Sequence, residues 1–172
     1  MSDILDLEIR KKIYDLILKD PGLHARKIAY NLNVRPQLVD YHLRYLERHG
    51  IIVIEHEKGY SRIYIKGEVG SEDKQLISIL RQEIALKIVV FLLNHPCSKH
   101  KEIVKELKVS SPHVSYYLRK LANKDIVEIS TLDGKKGYVL KDKKRIIEFL
   151  IKYRPTSLVD NIKDIWDDFS PE

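Results

Sequence analysis

The feature that most constrains this chain is an internal repeat. Shifting the sequence by 75 positions aligns residues 9–66 with residues 84–141 without a gap. Identical residues recur along the whole alignment, and they include the pairs Ile13/Ile88, Pro21/Pro96, Val39/Val114, Tyr41/Tyr116, Arg44/Arg119, Leu46/Leu121 and Gly59/Gly134. A repeat of this length indicates one structural unit that is used twice.

Apolar spacing predicts three helices in each unit. The first helix carries apolar residues at helical intervals and stops shortly before Pro21 or Pro96. A short second helix carries Ile28 in one unit and Ile103 in the other. The third helix has a proline near its first turn, where the missing N–H costs nothing, and we expect it to end at residue 50 or 125.

A β-hairpin follows the three helices in each unit. Residues 51–55 and 126–130 are rich in β-branched residues and predict outgoing strands. Lys58-Gly59 and Asp133-Gly134 are typical hairpin turns, and residues 63–66 and 138–141 supply the returning strands. The expected fold class is therefore mainly α with small β-hairpins (α+β), as two tandem winged helix-turn-helix domains with a C-terminal helical extension.

The repeat also sets the expected domain boundaries. Residues 1–66 form the first winged helix-turn-helix domain, residues 67–74 a polar linker, residues 75–141 the second domain and residues 142–172 the extension. From Gln75 an amphipathic stretch continues through Leu76, Leu80 and Ile84 into the first helix of the second domain. We therefore expect one continuous helix there, which leaves little slack between the domains.

The C-terminal extension combines a basic helix over residues 143–153 with a second amphipathic helix after Ser157, separated at Pro155. The second helix has an apolar stripe flanked by aspartates, and its candidate partner or dimer residues are Ile162, Ile165, Trp166 and Phe169. Docking against the chain's own domains, formation of a homo-oligomer and binding of basal transcription factors are all open interpretations of this stripe.

Charge and composition narrow the class of protein. The net charge is +6 with a sequence pI near 9.2, and the residues from 154 onward carry −3, so the rest of the chain holds +9. Such an excess permits an anionic partner. Cys97 is the one cysteine, which excludes an internal disulfide and fits a reducing compartment. The chain opens without an export signal and has no apolar run of membrane-spanning length, so we expect a cytoplasmic protein without a membrane partner.

The third helices carry a recognisable sequence. The segments "VDYHLRYLERHGII" and "VSYYLRKLANKDIV" resemble the recognition helix and first wing strand of ArsR/MarR-like winged-helix regulators. The two-domain layout is also similar to that of archaeal tandem winged-helix regulators, among which are the euryarchaeal archaellum-operon activators. This resemblance covers nearly the whole chain and implies binding of double-stranded DNA and regulation of transcription.

One face of each third helix is a candidate for reading bases. Val39, Leu43 and Leu46 fall on a buried face, and the opposite faces hold the base-reading candidates Gln37, Asp40, Tyr41, Arg44, Arg48, Ser115, Tyr116, Arg119 and Asn123, beside Pro112. Arginine pairs with guanine, glutamine or asparagine with adenine, and aspartate with cytosine. In the alternative interpretation, the tyrosines pack on the wing and the arginines are solvated.

Basic and small polar residues near helix starts and wing tips are candidates for phosphate contacts. They are Arg26, Lys27, Arg35, Lys58, Arg62, Ser110, Ser111, Lys120, Lys135 and Lys136. Each of these side chains, taken alone, could simply be solvated. The third helix of the second unit contains basic residues without an acid, whereas Asp40 and Glu47 offset the arginines of the first.

Other chemistries have little support in the sequence. His95, Cys97 and His100 lie close together but match no strong zinc-binding spacing, so we expect no metal site. No phosphate loop, nucleophile elbow or paired-carboxylate motif is present, which argues against an enzyme and a cofactor. The functional alternative is a winged-helix protein-interaction module of a transcription or chromosome complex. Tyrosine, arginine and small polar groups on both outward faces favour DNA binding instead.

Overall fold

The computed structural model describes residues 7–57, 59–132 and 134–153. Its internal contacts divide the chain into two compact units, Met1–Ser78 and Ile79–Glu172. The described residues are mainly helical with two small antiparallel hairpins, which confirms the α+β class. The helix expected after Ser157 and its residues Ile162, Ile165, Trp166 and Phe169 lie outside the described residues.

The first unit has the element order of a winged helix. Its elements are α1 (Glu8–Lys19), α2 (Ala25–Leu32), α3 (Pro36–Arg48), β1 (Ile52–Glu57) and β2 (Tyr60–Ile65). The two strands pair antiparallel, with Ile52 opposite Ile65. A further hydrogen bond from the N–H of Ile63 to the carbonyl of Leu23, at 3.1 Å, attaches the hairpin to the segment between α1 and α2. The wing is thus fixed to the helices at its base.

A single apolar core joins these elements. Its buried members are Ile13, Ile17, Leu23, Ile28, Ala29, Val39, Leu43, Leu46, Ile52, Ile63 and Ile65. Burial of this many aliphatic side chains is the main term that stabilises so small a unit. The core therefore orients α3, since Val39, Leu43 and Leu46 all point into it.

The second unit repeats this order and adds a helix. Its elements are α5 (Glu83–Asn94), α6 (His100–Leu107), α7 (Ser111–Ala122), β3 (Val127–Leu132), β4 (Lys135–Leu140) and α8 (Lys143–Tyr153). Residues equivalent to core positions of the first unit are buried again, namely Ile88, Leu92, Ile103, Val114, Leu118, Leu121 and Val127. The basic helix expected over residues 143–153 is confirmed as α8.

The turns of the repeat adopt the same backbone conformations. Asn33 and Lys108, which follow the second helix of each unit, are left-handed with φ of 53° and 52°. Gly50 and Asp125, beyond the third helices, are left-handed with φ of 67° and 56°. A left-handed residue just past a helix end is a common way to terminate it. The third helices themselves end at Arg48 and Ala122, two and three residues before the predicted ends at residues 50 and 125.

The connection between the units differs from the expected linker and continuous helix. A separate helix, α4 (Ser71–Leu80), already includes residues 71–74 of the predicted linker. It ends before Arg81, and Gln82 is extended with φ −87° and ψ 114° as the residue that precedes α5. The Gln82 side chain accepts a hydrogen bond from Lys120 Nζ at 2.9 Å. The prediction of one unbroken helix is wrong because Gln82 is held in an extended conformation between two separately terminated helices.

The strands extend further toward the turns than predicted. Each hairpin closes with a two-residue loop, so that Glu57 pairs with Tyr60 and Leu132 with Lys135. Gly59 and Gly134 have φ of 91° and 75°, which a glycine adopts without steric cost. The predicted turns are confirmed. The polar residues next to them, Glu57 and Lys135, belong to the paired strands.

Candidate nucleic-acid interface

The outward face of α3 is an exposed polar and aromatic surface. Pro36 occupies the first turn, where its fixed φ suits a helix start. The five candidates Gln37, Asp40, Tyr41, Arg44 and Arg48 are all exposed, with 62% of Tyr41 open to solvent. Because the core holds the opposite side of the helix, this face is presented by a rigid element and not by a loop.

The equivalent face of α7 is similar but not identical. Tyr116 is 53% exposed, and Arg119 and Asn123 are exposed. Ser115 is half-buried, and its Oγ lies 2.9 Å from Nε2 of His100 at the start of α6. The serine hydroxyl is therefore already engaged, so Tyr116, Arg119 and Asn123 are the more available groups.

The two outward tyrosines keep most of their surface open. Tyr41 contacts the next ring, His42, edge-on at 5.1 Å between centroids, and Tyr116 contacts Tyr117 in the same way at 5.1 Å. More than half of each side chain remains exposed, which argues against rings that pack on the wing. The spacing of three residues places each tyrosine beside an arginine on the same helical face.

Arg119 also borders a shallow groove between α7 and the wing of its unit. The groove has a volume of about 310 Å³ and an apolar floor that includes Leu118 and Val127. Ile129 lines it and is 57% exposed. The groove leaves the arginine with open space beside it.

The phosphate candidates fall into three groups. Exposed side chains belong to Arg26, Lys27, Arg35, Ser110, Ser111, Lys135 and Lys136, although the Ser110 hydroxyl already contacts His113 Nδ1 at 3.0 Å. Two others are half-buried and engaged, since Lys120 donates to Gln82 and Arg62 Nη1 donates to the Gly22 carbonyl at 3.2 Å. Lys58 lies outside the described residues. The geometry thus favours a structural role for Arg62.

A buried polar cluster behind α3 escaped the sequence analysis. The Arg10 guanidinium of α1 lies 3.7 Å from the centroid of the Tyr45 ring, a cation–π contact in a site where Arg10 is only 5% exposed. His42 is 3% exposed, and no described residue hydrogen-bonds its Nδ1. Burial lowers the pKa of His42, and the nearby Arg10 charge lowers it further.

The lowered pKa of His42 predicts a pH-dependent stability. The unfolded histidine binds a proton near its ordinary pKa of 6.5, whereas the folded one binds it only at lower pH. The free energy of unfolding should therefore have its full value above about pH 6.5. It should decrease as the pH falls from there toward the pKa of His42 in the folded protein. Denaturant titrations at pH 7.5 and 5.5 measure this loss, and His42→Leu should remove most of it. An equal loss in that variant would assign the effect to other groups.

A second surface that the sequence analysis missed lies in the first turn of each third helix. Leu38 is 42% exposed, and the equivalent His113 is exposed, with its Nδ1 3.0 Å from Ser110 Oγ. The sequence did not predict the exposure of Leu38, because an apolar residue next to Val39 is readily assigned to the core. The helical projection alone places it at the edge of the outward face.

His95, Cys97 and His100 do not converge. His95 stacks on Phe91 at 4.7 Å between centroids, and His100 pairs with Ser115. The Cys97 thiol donates to the carbonyl of Lys135 at 2.8 Å. Over the described ranges, no three His, Cys, Asp or Glu side chains are grouped so as to hold a metal ion.

Comparison with known proteins identifies the helix-turn-helix segment. Residues 82–128 match the family described as bacterial regulatory protein, arsR family. An uncharacterized HTH-type transcriptional regulator of Methanocaldococcus jannaschii is 34% identical over 121 residues, which are 70% of this chain and 30% of that protein. The chain thus spans less than a third of the relative that it matches.

Among solved structures, ScpB from Mycobacterium tuberculosis aligns over 84% of this chain and 94% of its own, at 16% identity. The TM-score of 0.29 is too low for an argument about fold. No helix in the described part of the chain is long and apolar enough to cross a membrane.

The family match begins at Gln82 and ends at Glu128, so it takes in α5, α6, α7 and the start of β3. It therefore contains the whole exposed face of α7 and confirms the resemblance seen in that helix. The M. jannaschii relative is named as an HTH-type transcriptional regulator. Residues 82–128 are thus similar to the arsR family of regulatory proteins, and a larger part of the chain is similar to a segment of an archaeal HTH-type transcriptional regulator.

Proposed function

We propose that this chain is a sequence-specific regulator of transcription that binds double-stranded DNA through two tandem winged-helix domains. Each domain inserts its third helix into the major groove, and the two helices read adjacent segments of one duplex. The observation that carries this proposal is the exposed tyrosine and arginine pair at the same position of both helices, Tyr41/Arg44 and Tyr116/Arg119.

The chemistry of this face suits a duplex. A recognition helix lies in the major groove with its outward side chains on the base edges, and arginine makes two hydrogen bonds to guanine O6 and N7. Exposed cations of the first unit, Arg26 and Lys27 in the first turn of α2 and Arg35 before α3, would reach phosphates. Groups suited to base reading and to backbone contact are thus both exposed on this unit.

The second unit offers the same combination with a stronger positive charge. α7 contains basic residues and no acid, and Lys135 and Lys136 are exposed next to the turn of the wing. Major-groove segments facing one side of B-DNA recur about every 10 base pairs, so we expect one chain to protect roughly 20 base pairs. A module that binds only proteins would not need an exposed arginine at both equivalent positions.

Substitution of the two arginines tests the two-headed proposal. Arg44→Ala should relax base preference in one half-site and Arg119→Ala in the other, each at a cost of about 1–3 kcal/mol if the contact is bidentate to guanine. Selection of bound duplexes from random DNA defines the two half-sites, and repeating it with each variant measures the change.

Arg44→Lys and Arg119→Lys are the matched controls, because lysine keeps the charge but lacks the planar fork that pairs with guanine. We expect them to lose base preference at the same position while retaining more affinity than the alanine variants. Unchanged preference in both alanine variants, or nuclease protection by only one unit, would contradict the two-headed proposal. Absence of duplex binding would favour the protein-interaction alternative.

A further inference from the structure

The first turn of the third helix differs between the units in a way that bears on which bases are read. Leu38 and His113 occupy equivalent positions, the third residue of α3 and of α7 respectively. Both side chains are exposed, although the residues that follow them, Val39 and Val114, are fully buried. The N-terminal residues of a recognition helix are those that reach base edges.

Leu38 presents apolar surface at this position. It lies three residues before Tyr41, at a spacing that makes the two residues neighbours on the helix surface, and both are exposed. One exposed leucine is ordinary in a folded protein. Here it stands in the turn that would enter the groove, where the thymine C5-methyl is the apolar group that a base edge offers.

His113 presents a directed hydrogen-bonding group instead. Its Nδ1 lies 3.0 Å from the hydroxyl of Ser110, the residue that precedes α7. In the tautomer that carries the ring proton on Nε2, the hydroxyl donates to Nδ1. The outer edge of the ring is then an N–H donor, for which guanine N7 is the matching major-groove acceptor.

We infer that Leu38 and His113 are specificity-determining residues, with Leu38 contacting a thymine methyl in one half-site and His113 donating to a guanine N7 in the other. This inference rests on the proposed function. It predicts a difference in base preference between the half-sites, which the shared tyrosine and arginine alone would not produce. It also predicts that exchanging the two side chains exchanges the base preferred at that position.

A base analogue that lacks one methyl group tests the Leu38 contact. The full chain is titrated with its selected duplex and with the same duplex carrying deoxyuridine for the thymine in question, which removes only the methyl group. We expect about a fourfold loss of affinity, the value for one buried methyl-sized group. Leu38→Ala should bind both duplexes equally, and Leu38→His should shift the selected base from thymine to guanine.

A parallel titration tests His113 with 7-deazaguanine, which replaces N7 by a carbon. We expect about a three- to tenfold loss for the wild-type chain, as for one hydrogen bond, and none for His113→Ala. Ser110→Ala should give a smaller loss, because the imidazole remains but its Nδ1 is no longer held by the hydroxyl. His113→Leu should shift the preference from guanine to thymine.

The outcomes separate this inference from the proposed function. If the variants bind duplex with unchanged base preference and neither analogue lowers wild-type affinity, Leu38 and His113 do not determine specificity and the regulator proposal stands. If the wild-type chain selects no duplex, both proposals fail. Melting curves of Leu38→Ala and His113→Ala should match the wild type, since both side chains are exposed.

Discussion

Affinity for the selected duplex should fall about a thousandfold when the salt concentration rises from about 50 to 200 mM, if one chain neutralises about six phosphates. Each neutralised phosphate releases counterions and adds about −0.9 to the slope of log K against log salt. The exposed candidates Arg26, Lys27, Arg35, Lys135 and Lys136 can supply most of these contacts. Binding titrations at four or five salt concentrations give the slope directly.

Substitution of Lys135 and Lys136, next to the turn of the second wing, tests whether this wing contributes to the slope of log K against log salt. Lys135→Ala with Lys136→Ala should reduce its magnitude by about 1.8. The matched control is Lys12→Ala with Lys144→Ala, which removes the same charge from α1 and α8. In the wild type, Lys12 pairs with Glu8 at 2.5 Å, and Lys144 lies 4.0 Å from Glu148. Equal slopes for the two double variants would mean that net charge, and not wing contact, governs the salt dependence.

The regular parts of the fold could be read from the sequence because each depends on local periodicity. The core positions Val39, Leu43 and Leu46 follow from the helical repeat alone, as do Val114, Leu118 and Leu121. The hairpin turns follow from glycine at a position that needs a positive φ. The internal repeat doubled the support for each of these predictions, because each pattern occurs twice.

Features that depend on contacts distant in sequence could not be read in this way. The burial of Arg10 against Tyr45 joins α1 to α3, and an arginine in the first helix gives no local sign of it. The break between α4 and α5 depends on Gln82, which is an ordinary helix-forming residue by propensity. Only a comparison of the repeats could have indicated that Arg10 and His42 are special to the first unit, since Ala85 and Tyr117 stand at the equivalent positions of the second.

The wing of the second unit is attached at a place where only glycine fits. A Cβ built on Gly137 would lie 2.3 Å from the carbonyl oxygen of Cys97 and 2.8 Å from that of Ser98. The neighbouring N–H of Tyr138 donates to this Ser98 oxygen at 2.8 Å. In the first unit the equivalent residue is Arg62, whose Nη1 donates to Gly22, so the close approach belongs to the second unit.

Gly137→Ala should therefore destabilise the protein by about 3 kcal/mol or more, at the upper end of overpacking costs, because the obstacles are backbone atoms that cannot rotate away. For a unit of this size the melting temperature should fall by more than about 10 °C. Gly70→Ala is the matched control, since its Cβ would meet nothing within 4 Å, and it should change stability by less than about 0.5 kcal/mol. Thermal unfolding followed by circular dichroism compares the two. If they melt alike, the wing does not approach the Cys97 backbone as closely as described.

If Gly137→Ala is destabilised but still folded at low temperature, its displaced wing should also weaken DNA binding through Lys135 and Lys136. This loss should appear as a shallower salt slope.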